Sequence, residues 1–180
     1  MNFPAREELR VVYDAETIQT RIKEMAAEID AIYKDEPVVV VCVLKGAFMF
    51  FTDLVKNLTI SPELDFVRLA SYGNETESQE HIAFTKDIEL SIKDKHVLIV
   101  EDIVDSGRSM AFLLHQLEAR GAKSLRIAAL IDKRERRVVP VYPDFVGFDL
   151  PAGFIVGFGL DYAERYRELP AVYVMPDNFS

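Results

Sequence analysis

The sequence predicts a doubly wound α/β protein, a mostly parallel sheet flanked by helices. Three apolar runs carry that prediction. Val38 to Leu44 (VVVVCVL) holds no polar residue, which is how a strand covered on both faces reads. His96 to Val100 and Leu125 to Ile131 repeat the strand pattern, with helix-period segments between the runs. Sheets of this kind bind ligands beyond the carboxyl ends of their strands. That rule directs attention to Lys45-Gly46, Glu101 to Ser109, Lys133 and Gly157 to Asp161.

The first element is a helix over Ala15–Tyr33. Ile18, Ile22, Met25, Ile29 and Ile32 fall on one stripe at three- and four-residue spacing, and Asp14 supplies an N-cap. Lys45-Gly46 ends the Val38–Leu44 strand, and AFMFFTDLVKN reads as the next helix, with Phe48, Phe50 and Phe51 serving the core or a subunit contact. A weaker strand, Leu64 to Ala70, leads into SYGNETESQEH, whose polar residues and glycine are those of an exposed, mobile loop. The strand at His96 to Val100 precedes the helix MAFLLHQLEAR, with Gly121 as C-cap. Leu125 to Ile131 ends in the charged run DKRERR, and short strands follow around Phe145-Val146, Phe154 to Val156 and Val172 to Val174. No linker, repeat or low-complexity segment divides the chain, so residues 1–180 read as one domain.

With 49% hydrophobic and 28% charged residues, the 180-residue chain can bury a core and is not a disordered segment. Thirty Asp and Glu against 21 Lys and Arg leave a net charge of -9, which opposes nonspecific attraction to nucleic acid. Cys42 is the single cysteine, so no internal disulfide forms, and that suits a reducing cytoplasm. The start, MNFPAREELR, carries charges where a secretory signal needs an apolar run, and no apolar stretch approaches the ~20 residues that span a bilayer. The expectation is a cytoplasmic protein with neither membrane nor nucleic acid among its partners. His81, His96 and His115 show no metal-site or triad spacing.

The most informative stretch is VLIVEDIVDSGRSM, Val97 to Met110. An apolar strand runs into two carboxylates, Glu101 and Asp102, and then into Asp105-Ser106-Gly107-Arg108-Ser109 at a helix start. Free amides, hydroxyls and the positive end of a helix suit a phosphate group. The acidic pair would repel a phosphate, and suits ribose hydroxyls or a bridging Mg2+ instead. Neighbouring strand residues face opposite ways, so the two acids should differ in role. The plain alternative is a capped turn, with Asp105 or Ser106 as N-cap. Other phosphate motifs fail: GxxxxGK[ST] is absent, and Gly157-Phe158-Gly159 is followed by Tyr162 where a dinucleotide fingerprint needs its third glycine.

VEDIVDSGRSM resembles the phosphoribosyl pyrophosphate signature of type I phosphoribosyltransferases. VLKGAF, LASYGNET, IDKRERR and VGFGLDYAERYRELP occur in the order found in the hypoxanthine-guanine phosphoribosyltransferases, so the resemblance runs from Val38 to Pro170. It implies the type I fold with a small hood formed by the terminal segments. It also implies a Mg2+-dependent purine salvage reaction, in which phosphoribosyl pyrophosphate and a 6-oxopurine, hypoxanthine or guanine, give IMP or GMP and pyrophosphate.

Carried over residue by residue, the resemblance makes Glu101 and Asp102 the holders of the ribose hydroxyls or their metal-bound waters, and Asp161 a further Mg2+ ligand. Asp105, Ser106, Gly107, Arg108 and Ser109 hold the ribose phosphate, and Asp105 is the catalytic acid/base facing an imidazole nitrogen of the purine. Lys133 contacts the exocyclic oxygen, Phe154 stacks on the ring and the Ile155 backbone meets its edge. Lys45, Gly46, Arg137 and Arg167 contact pyrophosphate, with Arg134 and Arg136 as surface charge. The Leu44–Lys45 peptide is expected to be cis. SYGNETESQE becomes a lid with Ser71 and Tyr72 at its base, departing from the family in Glu75, Glu77 and Glu80. The family pattern implies a homodimer or homotetramer. Two alternatives stand beside this reading: a xanthine- or pyrimidine-preferring relative, and a non-catalytic nucleotide- or RNA-binding regulator of the same fold, for which Lys133 to Arg137 would be the basic patch.

Overall fold

Apolar spacing and capping place the main elements of the chain. The computed structural model describes residues 3–72, 81–150 and 153–176. A 3-10 turn (Arg6–Glu8) and strand β1 (Arg10–Tyr13) lead to α1 (Ala15–Tyr33), where the Asp14 carboxylate accepts a 2.8 Å hydrogen bond from the Thr17 amide as N-cap. Ile18, Ile22, Met25, Ile29 and Tyr33 form the buried stripe of α1. Ile32, expected on that stripe, stays 45% exposed because Tyr33 continues the four-residue step from Ile29.

β2 (Val38–Leu44) is buried almost throughout, as its composition requires, and the Leu44–Lys45 peptide after it is cis. There follow α2 (Phe48–Asn57), β3 (Glu63–Tyr72), β4 (His81–Lys86), β5 (His96–Val104), α3 (Arg108–Glu118), β6 (Ser124–Asp132), β7 (Phe145–Asp149), β8 (Ile155–Val156) and β9 (Val172–Val174). The main sheet has the order β4-β3-β2-β5-β6-β7, parallel except for antiparallel β4 at its edge.

Strand alternation splits the core in two. Val38, Val40, Cys42, Leu98, Val100, Ala128 and Leu130 pack under α1 and α2 on one face. Val39, Val41, Val97, Ile99, Ile127 and Ala129 meet Met110, Leu113 and Leu117 of α3 on the other. Helices on both faces make the sheet doubly wound, as expected. Burial raises the Cys42 thiol to about 12, so this residue serves as a small apolar filler.

The hood is a second sheet of order β1-β9-β8, in which antiparallel β9 zips both ends of the chain together. Leu9, Val156, Tyr166, Leu169 and Met175 form its own small core. Tyr13 docks it on the main sheet by stacking on Phe148 at 4.1 Å and donating to the Asp149 carbonyl.

Several elements depart from expectation. β1 and β4 were not anticipated, and β5 runs through Glu101 and Asp102 to Val104 instead of stopping at Val100. Ser71 and Tyr72, expected to open the loop after Ala70, instead pair with Ile82 and His81 as the end of β3, and the rest of that segment up to Glu80 lies outside the described residues. α3 ends at Glu118 with Ala119 as C-cap, while Gly121 takes a left-handed φ of 80° two residues on.

Candidate active site

The carboxyl ends of β2, β5 and β6 converge with the hood at one edge of the main sheet. The loop that follows β5 is built around Gly107, whose φ is 82°. An added Cβ there would lie 2.6 Å from the Val139 carbonyl oxygen, so both backbone angle and space demand glycine. Gly107, not Asp105 or Ser106, is the N-cap of α3, and having no side chain it makes no capping bond of its own. This corrects the plain capped-turn alternative. The Ser106 hydroxyl accepts from the Arg108 amide at 3.4 Å, and Asp105 Oδ1 is buried without a hydrogen-bond partner. Glu101, Asp105, Ser106, Gly107 and Ser109 line one small cavity of about 150 Å³.

The two acids of β5 separate as alternation requires. Glu101 falls on the α3 face with Val97 and Ile99, beside the loop cavity. Asp102 faces the end of β2, where an added Cβ on Gly46 would lie 1.8 Å from Asp102 Oδ2. The Glu101 carboxylate accepts from the Asp102 amide at 3.1 Å. Burial first, and the Asp102 charge beside it second, hold Glu101 well above the usual carboxylate range. Burial raises Asp102 as well, against hydrogen bonds to Glu101 and to backbone amides and, more weakly, the charge of Arg167.

The hood supplies the third wall. Gly159 lies against the Gly46 carbonyl, and the Arg167 guanidinium donates to the Gly159 carbonyl at 2.8 Å. Arg167 also pairs with Asp161 at 2.8 Å and, more loosely, with Glu164, which binds Lys45 Nζ at 2.7 Å. Lys45, Asp102, Asp161 and Arg167 are thus brought together. The second Asp161 oxygen accepts from the Glu164 amide, so this carboxylate is engaged within its own turn.

Lys133, 8% exposed, closes the other side: its amide donates to the Val104 carbonyl and its ammonium to the Gly153 carbonyl, both within 3.0 Å. Next to Gly153, Phe154 is 39% exposed and meets Tyr162 edge-on at 5.6 Å. Ile155 buries its side chain in the α1–α2 core and offers only backbone.

Arg137 departs from its expected place. Its guanidinium turns inward to the carbonyls of Asp105, Val104, Lys133 and Val141 and to the buried Asp132 carboxylate, leaving only 8% of the side chain exposed. A pyrophosphate contact from that position would break this set of bonds. Arg134, expected as surface charge, is 63% exposed but also reaches Asp132. Ser71 and Tyr72 end β3 beyond the level at which β2 stops, since Leu44 pairs with Arg68. The rest of the expected lid, with Glu75, Glu77 and Glu80, lies outside the described residues.

Among the described residues, no three of His, Cys, Asp and Glu converge as a metal cage. No helix there is long and apolar enough to cross a membrane.

A parallel sheet with an acid pair, a hydroxyl-rich turn and a hood defines the class, and the family profile for the phosphoribosyl transferase domain matches residues 11–163. The chain belongs to the phosphoribosyltransferase family. Its relatives narrow the class to the hypoxanthine-guanine branch. It is 42% identical over 166 residues to the hypoxanthine-guanine phosphoribosyltransferase of Bacillus subtilis, covering 92% of each chain. It is also 42% identical to the bifunctional TilS/HprT protein of Listeria innocua, over 95% of this chain but only 26% of that longer one. The crystal structure of a hypoxanthine phosphoribosyltransferase from Staphylococcus aureus superposes with a TM-score of 0.93 at 37% identity, covering 99% of this chain and 97% of the other.

Proposed function

We propose that the chain is a purine salvage enzyme that transfers the phosphoribosyl group of phosphoribosyl pyrophosphate to hypoxanthine or guanine, giving IMP or GMP and pyrophosphate. One observation carries the reading: Asp105, whose Oδ1 is buried without a hydrogen-bond partner, lines one cavity with Glu101, Ser106, Gly107 and Ser109, and the Lys133 amide donates to the adjacent Val104 carbonyl. The anomeric carbon's bond to pyrophosphate breaks, its bond to a purine imidazole nitrogen forms, and one ring proton leaves. Asp105 is the acceptor for that proton, because its oxygen is held with no internal donor to satisfy it.

Ser106, Gly107, Arg108 and Ser109 hold the ribose phosphate at the start of α3. The loop offers amides and hydroxyls where the helix dipole favours an anion. Glu101 and Asp102 take the ribose hydroxyls, which are donors. Lys45, Gly46 and Arg167 meet the leaving pyrophosphate, whose growing negative charge needs fixed cations. Lys133 donates to the exocyclic oxygen of the base, Phe154 supplies the ring face and the Ile155 backbone the base edge. Arg137 has no pyrophosphate role in this scheme.

The donor set also fits Mg2+. Glu101, buried, and Asp102, half-buried, are two adjacent carboxylates, and Mg2+ is commonly held by one or two carboxylates completed by substrate phosphate oxygens. Asp161 would join them by releasing Arg167. When bound, the ion offsets phosphate charge that this acidic chain would otherwise repel.

The proposal extends to a single domain over 1–180, a cytoplasmic setting, a lid rising from Ser71 and Tyr72, and assembly as a homodimer or homotetramer, for which Phe48 offers exposed apolar surface on α2. The test supplies the protein with Mg2+, phosphoribosyl pyrophosphate and hypoxanthine, guanine, xanthine or adenine in turn, and measures pyrophosphate release. Release with hypoxanthine or guanine is expected. Silence with both, or preference for adenine, refutes the reading.

A further inference from the structure

Asp132 is a buried carboxylate that the reaction above leaves unused. It ends β6 with its residue 1% exposed and its side chain fully covered. One oxygen accepts from Arg137 Nη2 and the other from Arg134 Nε at 2.7 Å. Its backbone is fixed as well, because the Asp132 carbonyl accepts from the Leu150 amide at 3.1 Å and the strand pairs in register with Val104 of β5.

The Arg137 guanidinium held this way bonds the backbone on both sides of the turn where Asp105 begins. Nε donates to the Asp105 carbonyl at 2.7 Å and Nη2 to the Val104 carbonyl at 2.8 Å. The segment after Arg137 completes the brace: the amides of Val138 and Val139 both donate to the Ser106 carbonyl, at 2.9 and 3.0 Å. Arg137 Cδ would stand 3.1 Å from a Cβ at Gly107. Three successive residues of the phosphate loop are therefore gripped from one side. Asp132 is the only charge in the described residues that the buried fork of Arg137 meets.

We propose that Asp132 is a positioning residue for the transfer step: through Arg137 it sets where the Asp105 carboxylate stands relative to Lys133, its own neighbour in sequence. The proposal rests on the reading of Asp105 as proton acceptor. It makes the end of β6 a joint between the base side and the phosphate side of the site. A guanidinium only donates, and an ionised carboxylate only accepts, so both oxygens of Asp132 are needed for its two arginines. Asparagine at this position turns a donor toward one of them and frees the Arg137 fork to swing. A small displacement of a reacting group is enough to slow an oriented reaction by roughly 10- to 100-fold.

The test uses the full chain with Asp132→Asn. Turnover with hypoxanthine is expected to fall at least tenfold, while KM for phosphoribosyl pyrophosphate changes less than threefold. In an Asp105→Asn background, the same change is expected to cost less than a further twofold. Equal losses in both backgrounds, or unchanged turnover, overturn the proposal. Where Asp132→Asn does not fold, Arg137→Lys, which keeps the charge and loses the fork, is judged by the same two comparisons. Amide hydrogen exchange gives a readout independent of activity: residues 104–109 exchange faster in the variant while α1 is unchanged. Unaltered exchange in that loop also overturns the clamp, whereas an inactive wild-type protein with faster loop exchange in the variant indicts the assigned reaction instead.

Discussion

Lys45 and Glu164 form a 2.7 Å ion pair that ties the end of β2 to the turn following β8. The same carboxylate reaches Arg167 at 3.4 Å, so the two cations assigned to pyrophosphate share an internal anion. The hydrogen bond from Lys45 holds the Glu164 carboxyl below its usual range, keeping it charged. Under the proposed roles, an incoming pyrophosphate displaces it.

Glu164→Gln removes that competitor. Exposed ion pairs are weak, so pyrophosphate should bind only roughly two- to fivefold more tightly. Calorimetric titration of both proteins with Mg2+-pyrophosphate reads this directly, and equal or weaker affinity in the variant would mean Glu164 is no competitor.

Gly46→Ala places a methyl group 1.8 Å from Asp102 Oδ2. The methyl cannot yield, so Asp102 or the loop must move. A drop of at least about tenfold in kcat/KM, or ~1.4 kcal/mol of transition-state stabilisation, is expected. Steady-state kinetics with full activity in this variant would show that Asp102 does not need its present position.

Glu101 carries a stability cost that depends on pH. Its folded carboxyl titrates well above the unfolded value of about 4.3, mainly through burial. As pH rises past the unfolded value, the unfolded chain loses its proton while the folded one keeps it, so stability falls. Glu101→Gln should therefore melt higher than the native chain at pH 8, converge with it near pH 4, and lose activity. Melting curves that stay parallel across this range contradict the argument.

Lys133→Ala addresses base choice. An ammonium only donates, so it satisfies an oxopurine oxygen and opposes the adenine amino group. A hydrogen bond to a charged group is worth about 1.5–3 kcal/mol, so kcat/KM for hypoxanthine should fall roughly 10- to 100-fold while the preference over adenine narrows. Competition assays with both bases decide the point; an unaltered ratio removes Lys133 from base recognition.

Asp65 sets part of the acid limit. Burial alone would raise this 4% exposed carboxyl, but the amides of Leu90, Phe66 and Glu89 donate to it and hold it below its usual range. Its contribution is thus present above the unfolded value of about 3.9 and fades as pH falls through the lower folded one. Asp65→Asn should melt lower at pH 7 and lose less between pH 5 and pH 3 than the native protein, as followed by circular dichroism.

What could be read from the sequence follows from how local each signal is. Val38–Leu44 and Ala15–Tyr33 coincide with their predicted bounds because an unbroken apolar run and a capped stripe are complete within themselves. β1 was missed because RVVY is short and half exposed and takes its strand geometry only by pairing with β9, far along the chain. β4 was missed because HIAFTK is an edge strand with one polar side, embedded in a polar stretch. β5 was cut short at Val100 because carboxylates normally end a buried strand, and here the ladder continues through Glu101 opposite Ala129.

The site divides in the same manner. The turn from Asp105 to Ser109 was legible since its amides, hydroxyls and glycine serve one helix start. The inward turn of Arg137 was not, because resemblance points this residue at pyrophosphate; nothing local in the run DKRERR reveals the carbonyls of Val104, Asp105 and Val141 that draw it inward. Asp132 gave no signal for the same reason, and only tertiary structure shows that its neighbours are two guanidinium groups.

The two-ended hood also implies an order of assembly. The phosphate loop is built by β5, α3 and the end of β6 with its Arg137 brace, which follow one another along the chain, whereas the aromatic side of the pocket waits until Arg10 meets Val174 and Arg6 reaches Glu168 across 162 residues. Closing so long a chain segment is entropically late. On the proposed roles, a polypeptide emerging from the ribosome thus acquires its grip on sugar phosphate before it can distinguish one nucleobase from another.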